Sequence, residues 1–493
     1  MTLKTSEDQS KHGAPQDTQL KKGALGVGGI TFLVMSAAAP LSLLAGYGPI
    51  GLLVGGAGAP AGYLLAGAVL ALFAIGYTAM SRRINVVGTF FAYIQKGFGV
   101  RAGRGAAAGA LFAYLAVQVG GVGIFAVSAQ STLQAFFGIE VHWTVPAVAV
   151  IAIVWAIGRR GIDVGARLLG VLLVIESGIL LVLAFAVVIQ GGGPEGLSFE
   201  AFTPANVFSP GMAAACVVWF GAFMGIESTA IYRSEARNPV KTVTRATYLS
   251  IALLALFYGF VSWALIQAFG AVGAMEAAAA HPEDMMFIAA GSFLGGWADT
   301  SLRILMLAST LTSGLAFYNS INRYGHSLAL DGVIPARFAK VHPVHRSPKV
   351  GNLQSLVTLV LVLGFAVAQL DPYAQMTVWL STPGVIGIVV LLAGTSAAAA
   401  SYFAWGEGKE ARGRLVIIAT SAVASLLFAF VAASMMVNAE LMTGVTDATN
   451  VVLAAAPFAV ILIAAALTGR FGRRSKKALA SSTSPDPAAP RAD

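Results

Sequence analysis

Charge is scarce in this sequence. Only 11% of its 493 residues are charged, 57% are hydrophobic, and mean hydropathy is +0.78. A soluble globular chain carries about a quarter charged residues, so a water-soluble body is excluded. Cysteine is nearly absent as well: the single Cys216 excludes an intrachain disulfide and any cysteine-based metal cluster. The six histidines, at 12, 142, 281, 326, 342 and 345, show no metal-ligand pattern. His342 and His345 lie three apart in a basic loop, which reads as solvated. No metal and no cofactor is expected. A cleavable signal peptide is not visible either, because the first twenty residues are polar and the first apolar run is too long.

Long apolar stretches are what the chain has instead. A bilayer span needs about twenty apolar residues. Twelve candidates stand at 24–46, 60–80, 105–130, 142–158, 168–190, 211–232, 244–269, 302–322, 350–369, 376–403, 414–437 and 450–469. The segments 84–98 and 284–297 are shorter and mixed, and read as interfacial pieces. Fifty-six glycines suit helices packed at close range. With the N-terminus in the cytoplasm, 30 of the 31 Lys and Arg fall on the inner side, and Arg303 alone falls outside. The outer loops carry acids, among them Glu140, Glu195, Glu283, Asp284, Asp299 and Asp371. This alternation orients the chain with both termini cytoplasmic. The net charge of +9 is thereby topogenic and gives no argument for nucleic acid. The cytoplasmic tails at 1–20 and 471–493 flank a membrane domain at 21–470, and 1–20 and 475–493, polar and rich in Ser, Pro and Ala, read as disordered.

Ten of the 22 carboxylates are outside and ten inside, which leaves Glu176 and Glu227 at apolar depth. The stretch 217–239, VVWFGAFMGIESTAIYRSEARNP, loosens at Gly221 and Gly225 just before Glu227. A lone charge at mid-membrane costs roughly 2.5–3.5 kcal/mol on insertion scales, so Glu227 is paired, hydrated or protonated. It reads either as a gate or proton-linked group, or as a group satisfying amides freed by the break. Glu176, in VLLVIESGILLVL, has no basic residue at apolar depth to pair with. It reads as a proton carrier facing a cavity, or as a permanently protonated hydrogen-bonding group.

The first span holds Met35-Ser36-Ala37-Ala38-Ala39-Pro40. Pro40 lacks an N–H and its ring clashes with the carbonyl four residues earlier, so the ladder fails near Ser36. Taken alone this is a proline kink, and Gly221 with Gly225 is a packing face. Together, in corresponding spans of two halves, paired interruptions point to a transporter binding site. The half-helix beginning near Pro40 offers amides to an anionic group, and the one ending near Phe223 offers carbonyls to a cation. A zwitterion of amino-acid size fits between them. Ser36, Ala37, Ala38, Ala39, Gly221, Phe223, Gly225 and Tyr114 are the candidate binding residues. Gln118, one turn from Tyr114, is a further wall candidate, whereas Trp219 and Trp379 read better as core packing. Ser309, Thr312 and Ser313 in the eighth span form a candidate cation site, against the plainer reading that such hydroxyls bond back to their own turn.

These residues resemble the amino acid–polyamine–organocation transporters, specifically their bacterial amino acid permeases. The similarity covers nearly all of 20–470. It rests on Met224-Gly225-Ile226-Glu227-Ser228 followed by Glu235 and Asn238-Pro239, and on Arg323 with Leu328-Ala329-Leu330-Asp331-Gly332-Val333-Ile334-Pro335. Met80-Ser81-Arg82-Arg83 through Gly88 and Tyr93 adds the exit of the second helix. The resemblance implies an all-α polytopic membrane fold of twelve helices. They form a five-plus-five inverted repeat (24–190 and 211–403) with helices 1 and 6 discontinuous, plus two C-terminal helices (414–469). It also implies an α-carboxylate site at the first-helix break, an α-amino site at the sixth, and alternating access driven by protons or by exchange. Where the family usually has a Gly-Ser-Gly type break, this chain has Ser36-Ala37-Ala38-Ala39-Pro40. Where some proton-coupled relatives place a lysine in helix five as a sodium substitute, this chain has Glu176.

The expected function is thus a secondary transporter moving an amino acid or related amine across a bacterial inner membrane, with protons or sodium as coupling ion. Precursor–product exchange and a non-transporting nutrient sensor are the alternatives. An enzyme would need a nucleophile–base or metal cluster, and a channel a filter or pore-lining repeat; neither pattern is present. The sequence sets neither the substrate nor an oligomeric state.

Overall fold

The computed structural model describes residues 25–84, 90–159, 166–229, 236–330, 334–339 and 350–482. Arg233, Glu235, Gly88, Asp331, Gly332, Val333, His342, His345 and the tails at 1–20 and 483–493 lie outside the described residues. Among the described residues the chain is helical and forms no strand, only an isolated parallel bridge between Leu25 and Ala236.

Helix α1 (Val27–Ala38) stops at Ala39, whose φ of 43° is left-handed. The chain then resumes through a π-turn (Ser42–Tyr47) into α2 (Gly48–Gly55). The interruption lies three residues later than the Ser36 expected. Pro40 removes only the donor to the Ser36 carbonyl, and the chain turns out of the helix at Ala39. After α3 (Ala59–Ser81) come the short α4 (Phe90–Phe98), then α5 (Val100–Phe137), α6 (Thr144–Gly158) and α7 (Ala166–Ile189). Two short pieces, α8 (Pro204–Val207) and α9 (Pro210–Ala214), lead into α10 (Cys216–Gly221). Helix α11 (Pro239–Phe269) begins where the Asn238 side chain accepts from the Lys241 amide at 3.3 Å. The helices α12 (Ala271–Ala280) and α13 (Met285–Leu294) precede the long α14 (Gly296–Leu330). The chain closes with α15 (Val350–Val367), a π-turn (Pro372–Thr377) into α16 (Val378–Ala404), α17 (Arg414–Val437), α18 (Ala439–Thr443) and α19 (Ala448–Ser482).

Ten described segments are long and apolar enough to cross a bilayer, so the chain is an all-helical, multi-pass membrane protein. One of them, Val27–Ser81, takes in all but the first residues of the first expected span and the whole of the second. The fourth expected span is α6, whose 15 residues reach about 22 Å at 1.5 Å per residue, short of a hydrocarbon core of about 30 Å. Helices α5 and α14 overrun their apolar stretches at both ends, because helix hydrogen bonds propagate into flanking residues of good propensity. The last helix likewise continues to Ser482 through Arg, Lys and Ala, so 475–482 extend α19 where a disordered tail is expected.

Helix α5 is the hub, packing against α16, α14, α19, α4 and α6, while α3 packs on α11 and α17. Glycine sets the closeness of approach at one decisive place. Trp219 of α10, only 2% exposed, fills a slot floored by Gly51, Gly55 and Gly62. A Cβ at Gly62 would stand 2.5 Å from its indole. Trp219 also meets the Tyr63 ring edge-on at 4.8 Å, so it is a packing residue. Arg303, the lone basic residue assigned to the outer side, is buried at 8% exposure. It donates to Asp284 at 2.8 Å, Asp299 at 2.9 Å and Ser131 at 2.6 Å, which pins α13 and α14 to α5.

Candidate functional site

The two interruptions lie against each other. Helix α10 ends at Gly221, and 222–225 form a turn. There the ladder shortens to three-residue spacing: Met224 N donates to Gly221 O at 3.1 Å, and Ser228 N to Gly225 O at 2.9 Å. Gly225 has φ +106°, a region open to glycine and strained for any other residue. A Cβ there would sit 3.3 Å from the Ala37 Cβ, so the turn following α10 packs directly on the end of α1. The same two segments are tied at their far ends, where Arg237 N donates to Leu25 O at 3.0 Å.

Each buried acid ends on one of these breaks. Glu227, 4% exposed, accepts the Gly225 N–H at 2.9 Å on one carboxyl oxygen and the Tyr114 hydroxyl on the other. Tyr77 of α3 donates its hydroxyl to the Glu227 carbonyl. Tyr93 stands against the Tyr77 ring at 5.2 Å, and Tyr324 against the Tyr114 ring at 5.5 Å, so aromatic rings enclose the acid. Glu176, 3% exposed, faces the Leu41 backbone amide and the Ser309 hydroxyl. Ser309 in turn accepts from the Ser42 N–H at 3.3 Å. A hydroxyl of α14 therefore holds an amide that opens the second half of the first broken helix, with the carboxyl of α7 beside it, where a helix N-terminus favours negative charge. On the other side of the break, the Tyr258 hydroxyl reaches the Ala38 carbonyl at 3.5 Å, while in the second half Tyr373 donates to the Gly46 carbonyl at 2.7 Å.

Beside the breaks lies a cavity of about 1180 Å³, measured out to its open side. Ala37, Ala38, Ala39 and Gly221 line it, as do Gln118 of α5 and Ser313 of α14. The remaining candidates fall elsewhere. Ser36 donates to the Phe32 carbonyl at 2.9 Å within its own helix, and Thr312 to Ala308 O at 2.7 Å in the same manner. Ser309 serves the first break, so Ser309, Thr312 and Ser313 point to different partners. Phe223 and Gly225 belong to the turn, and Tyr114 to Glu227, rather than to the cavity lining. Trp379 donates to the Thr443 carbonyl at 3.0 Å and braces α16 against α18.

A model of the amino acid permease family matches residues 25–474, which takes in both breaks, both acids and the cavity. The chain belongs to the amino acid permease family. Among curated relatives, it is 24% identical over 211 residues to the branched-chain amino acid permease BcaP of Bacillus subtilis (strain 168), covering 43% of each chain. It is 34% identical over 131 residues to the L-methionine/branched-chain amino acid exporter YjeH of Escherichia coli (strain K12), or 26% of this chain and 30% of that one. It is 23% identical over 314 residues to the low-affinity putrescine importer PlaP of Escherichia coli (strain K12), covering 62% of this chain and 67% of that one. The chain thus spans less than half the length of the first two of these relatives. The family and these relatives are transporters, not enzymes.

Tyr77, Tyr324, Tyr258 and Leu41 are the site residues that sequence reasoning missed. The three tyrosines are among only twelve in the chain, and Tyr77 and Tyr258 lie inside apolar runs, where a phenol needs a partner. That rarity was the available signal. Leu41 acts through its backbone and leaves no signal in sequence.

Proposed function

We propose that this chain is a secondary transporter that moves an amino acid or related amine across a bacterial inner membrane by alternating access, driven by protons. Twelve spans in a five-plus-five inverted repeat, with both termini cytoplasmic, complete the reading. One observation carries it: the two carboxyls buried at apolar depth each stand at a helix break, Glu227 accepting the Gly225 N–H at 2.9 Å and Glu176 facing Leu41. A carboxylate accepts on both oxygens. Once protonated, one oxygen becomes a donor and both bonds lose their charge assistance. Proton uptake at either acid thereby changes how firmly a break is held, and substrate binding beside Ala37–Ala39 and Gly221 responds to the same geometry. Two states that differ in protonation and in break geometry are what coupling requires.

The test is uptake by the purified protein in proteoliposomes. A pH gradient drives accumulation in the wild type, and Glu227→Gln or Glu176→Gln abolishes that drive. Gradient-driven uptake at the wild-type rate in both variants would remove the proton roles. Uptake that requires substrate inside the vesicle would mark an exchanger, and ligand binding without flux a sensor.

A further inference from the structure

We infer that the cavity selects a neutral amino acid with an apolar side chain and rejects cationic amino acids and polyamines. The inference rests on the transport reading for its site, but not for its chemistry.

Among the described residues that line the cavity, none is Asp, Glu, Lys, Arg or His. Both buried acids stand outside the lining, Glu227 with its two oxygens committed to Gly225 and Tyr114, and Glu176 turned toward Leu41 and Ser309. A side-chain ammonium or the second charge of a diamine would be stripped of water here with no anion to meet it, which strongly disfavours binding. The walls suit a different group. Val117 and Val122 of α5, Ile151 and Val154 of α6, and Val385 of α16 present aliphatic surface. Burial of an apolar side chain against such a surface is favourable, and roughly proportional to the area removed from water.

The polar demand of the cavity is small and neutral. Ser42 Oγ, Gln118 Oε1, Thr358 Oγ1 and Thr382 Oγ1 are buried atoms in its lining without a hydrogen-bond partner among the described residues. Their residues are 7%, 7%, 2% and 1% exposed. Buried polar atoms of this kind are normally satisfied, so a ligand with a few donors and acceptors completes them. An α-ammonium and α-carboxylate supply both kinds. The single formal positive charge of a zwitterion travels with its own carboxylate, whereas a diamine brings two charges and no acceptor. Gln118, the one amide in the lining, is the specificity-determining position: it offers a dipole where a cation selector would need a carboxylate.

The experiment measures thermal stabilisation of the purified full chain by leucine, isoleucine, methionine, lysine and putrescine, alongside uptake of the same compounds in proteoliposomes. Leucine, isoleucine or methionine should half-saturate at a concentration at least tenfold lower than lysine or putrescine. Gln118→Glu should move the leucine-to-lysine ratio at least tenfold toward lysine, and Thr382→Asp serves if that variant does not fold. Equal or stronger stabilisation by lysine or putrescine overturns the inference, as does no stabilisation by any of the five. An unmoved ratio in a folded carboxylate variant overturns it too. Selective binding of leucine without uptake keeps the inference and overturns the transport reading. Uptake of putrescine in preference to leucine does the reverse.

Discussion

Glu227 can be asked directly whether it carries protons or only holds the turn that follows α10. Its carboxyl accepts from the Gly225 N–H at 2.9 Å and from the Tyr114 hydroxyl. In Glu227→Gln, the amide oxygen still accepts from Gly225. The amide NH₂ faces Tyr114, whose hydroxyl accepts as readily as it donates. Both contacts survive in neutral form, so stability should change by no more than about 1 kcal/mol. Glu227→Ala leaves the Gly225 N–H and the Tyr114 hydroxyl buried and unpaired, at about 1–3 kcal/mol each. Thermal unfolding in detergent, followed by size-exclusion chromatography, reads the first quantity, and gradient-driven uptake in proteoliposomes reads the second. The expected pattern is a stable Gln variant without proton-driven accumulation and an unstable Ala variant. An Ala variant as stable as the wild type would refute the structural reasoning. A Gln variant that still accumulates substrate along a pH gradient would take proton coupling away from Glu227.

Three further outcomes follow from the geometry. Gly225→Ala should lose roughly 1–2 kcal/mol, because φ +106° is strained for an L side chain and the new Cβ meets Ala37 at 3.3 Å; thermal unfolding of the purified variant checks this. Gly62→Val should abolish expression of a folded protein in a fluorescence size-exclusion assay, since its Cβ alone would approach the Trp219 indole to 2.5 Å. Arg303→Ala should cost about 1–3 kcal/mol in unfolding, less than a fully buried pair because Asp284 and Asp299 keep 27% and 30% side-chain exposure. Arg303→Lys should recover only part of that loss, because one ammonium cannot reproduce the forked contacts to Asp284, Asp299 and Ser131.

By itself, the sequence determined the solvent of this protein and the position of its weak points. Composition and the placement of 31 basic residues established a multi-pass membrane chain. Proline at 40, glycine at 221 and 225, and acids at 176 and 227 are local signals, and they located the two interruptions and their guardians to within a few residues. The tertiary structure decided what each group faces. Tyr114 lies on Glu227 instead of the cavity, Glu176 meets the Leu41 amide, and Trp219 fills a glycine slot. In a soluble helix, polar and apolar faces would reveal such directions. Within a bilayer the lipid-facing and protein-facing sides of a helix are equally apolar, so periodicity is silent about which side chain meets which neighbour. Only packing settles it, and the unpaired Ser42, Gln118, Thr358 and Thr382 atoms came to light only once several helices and the first break were assembled around one uncharged cavity.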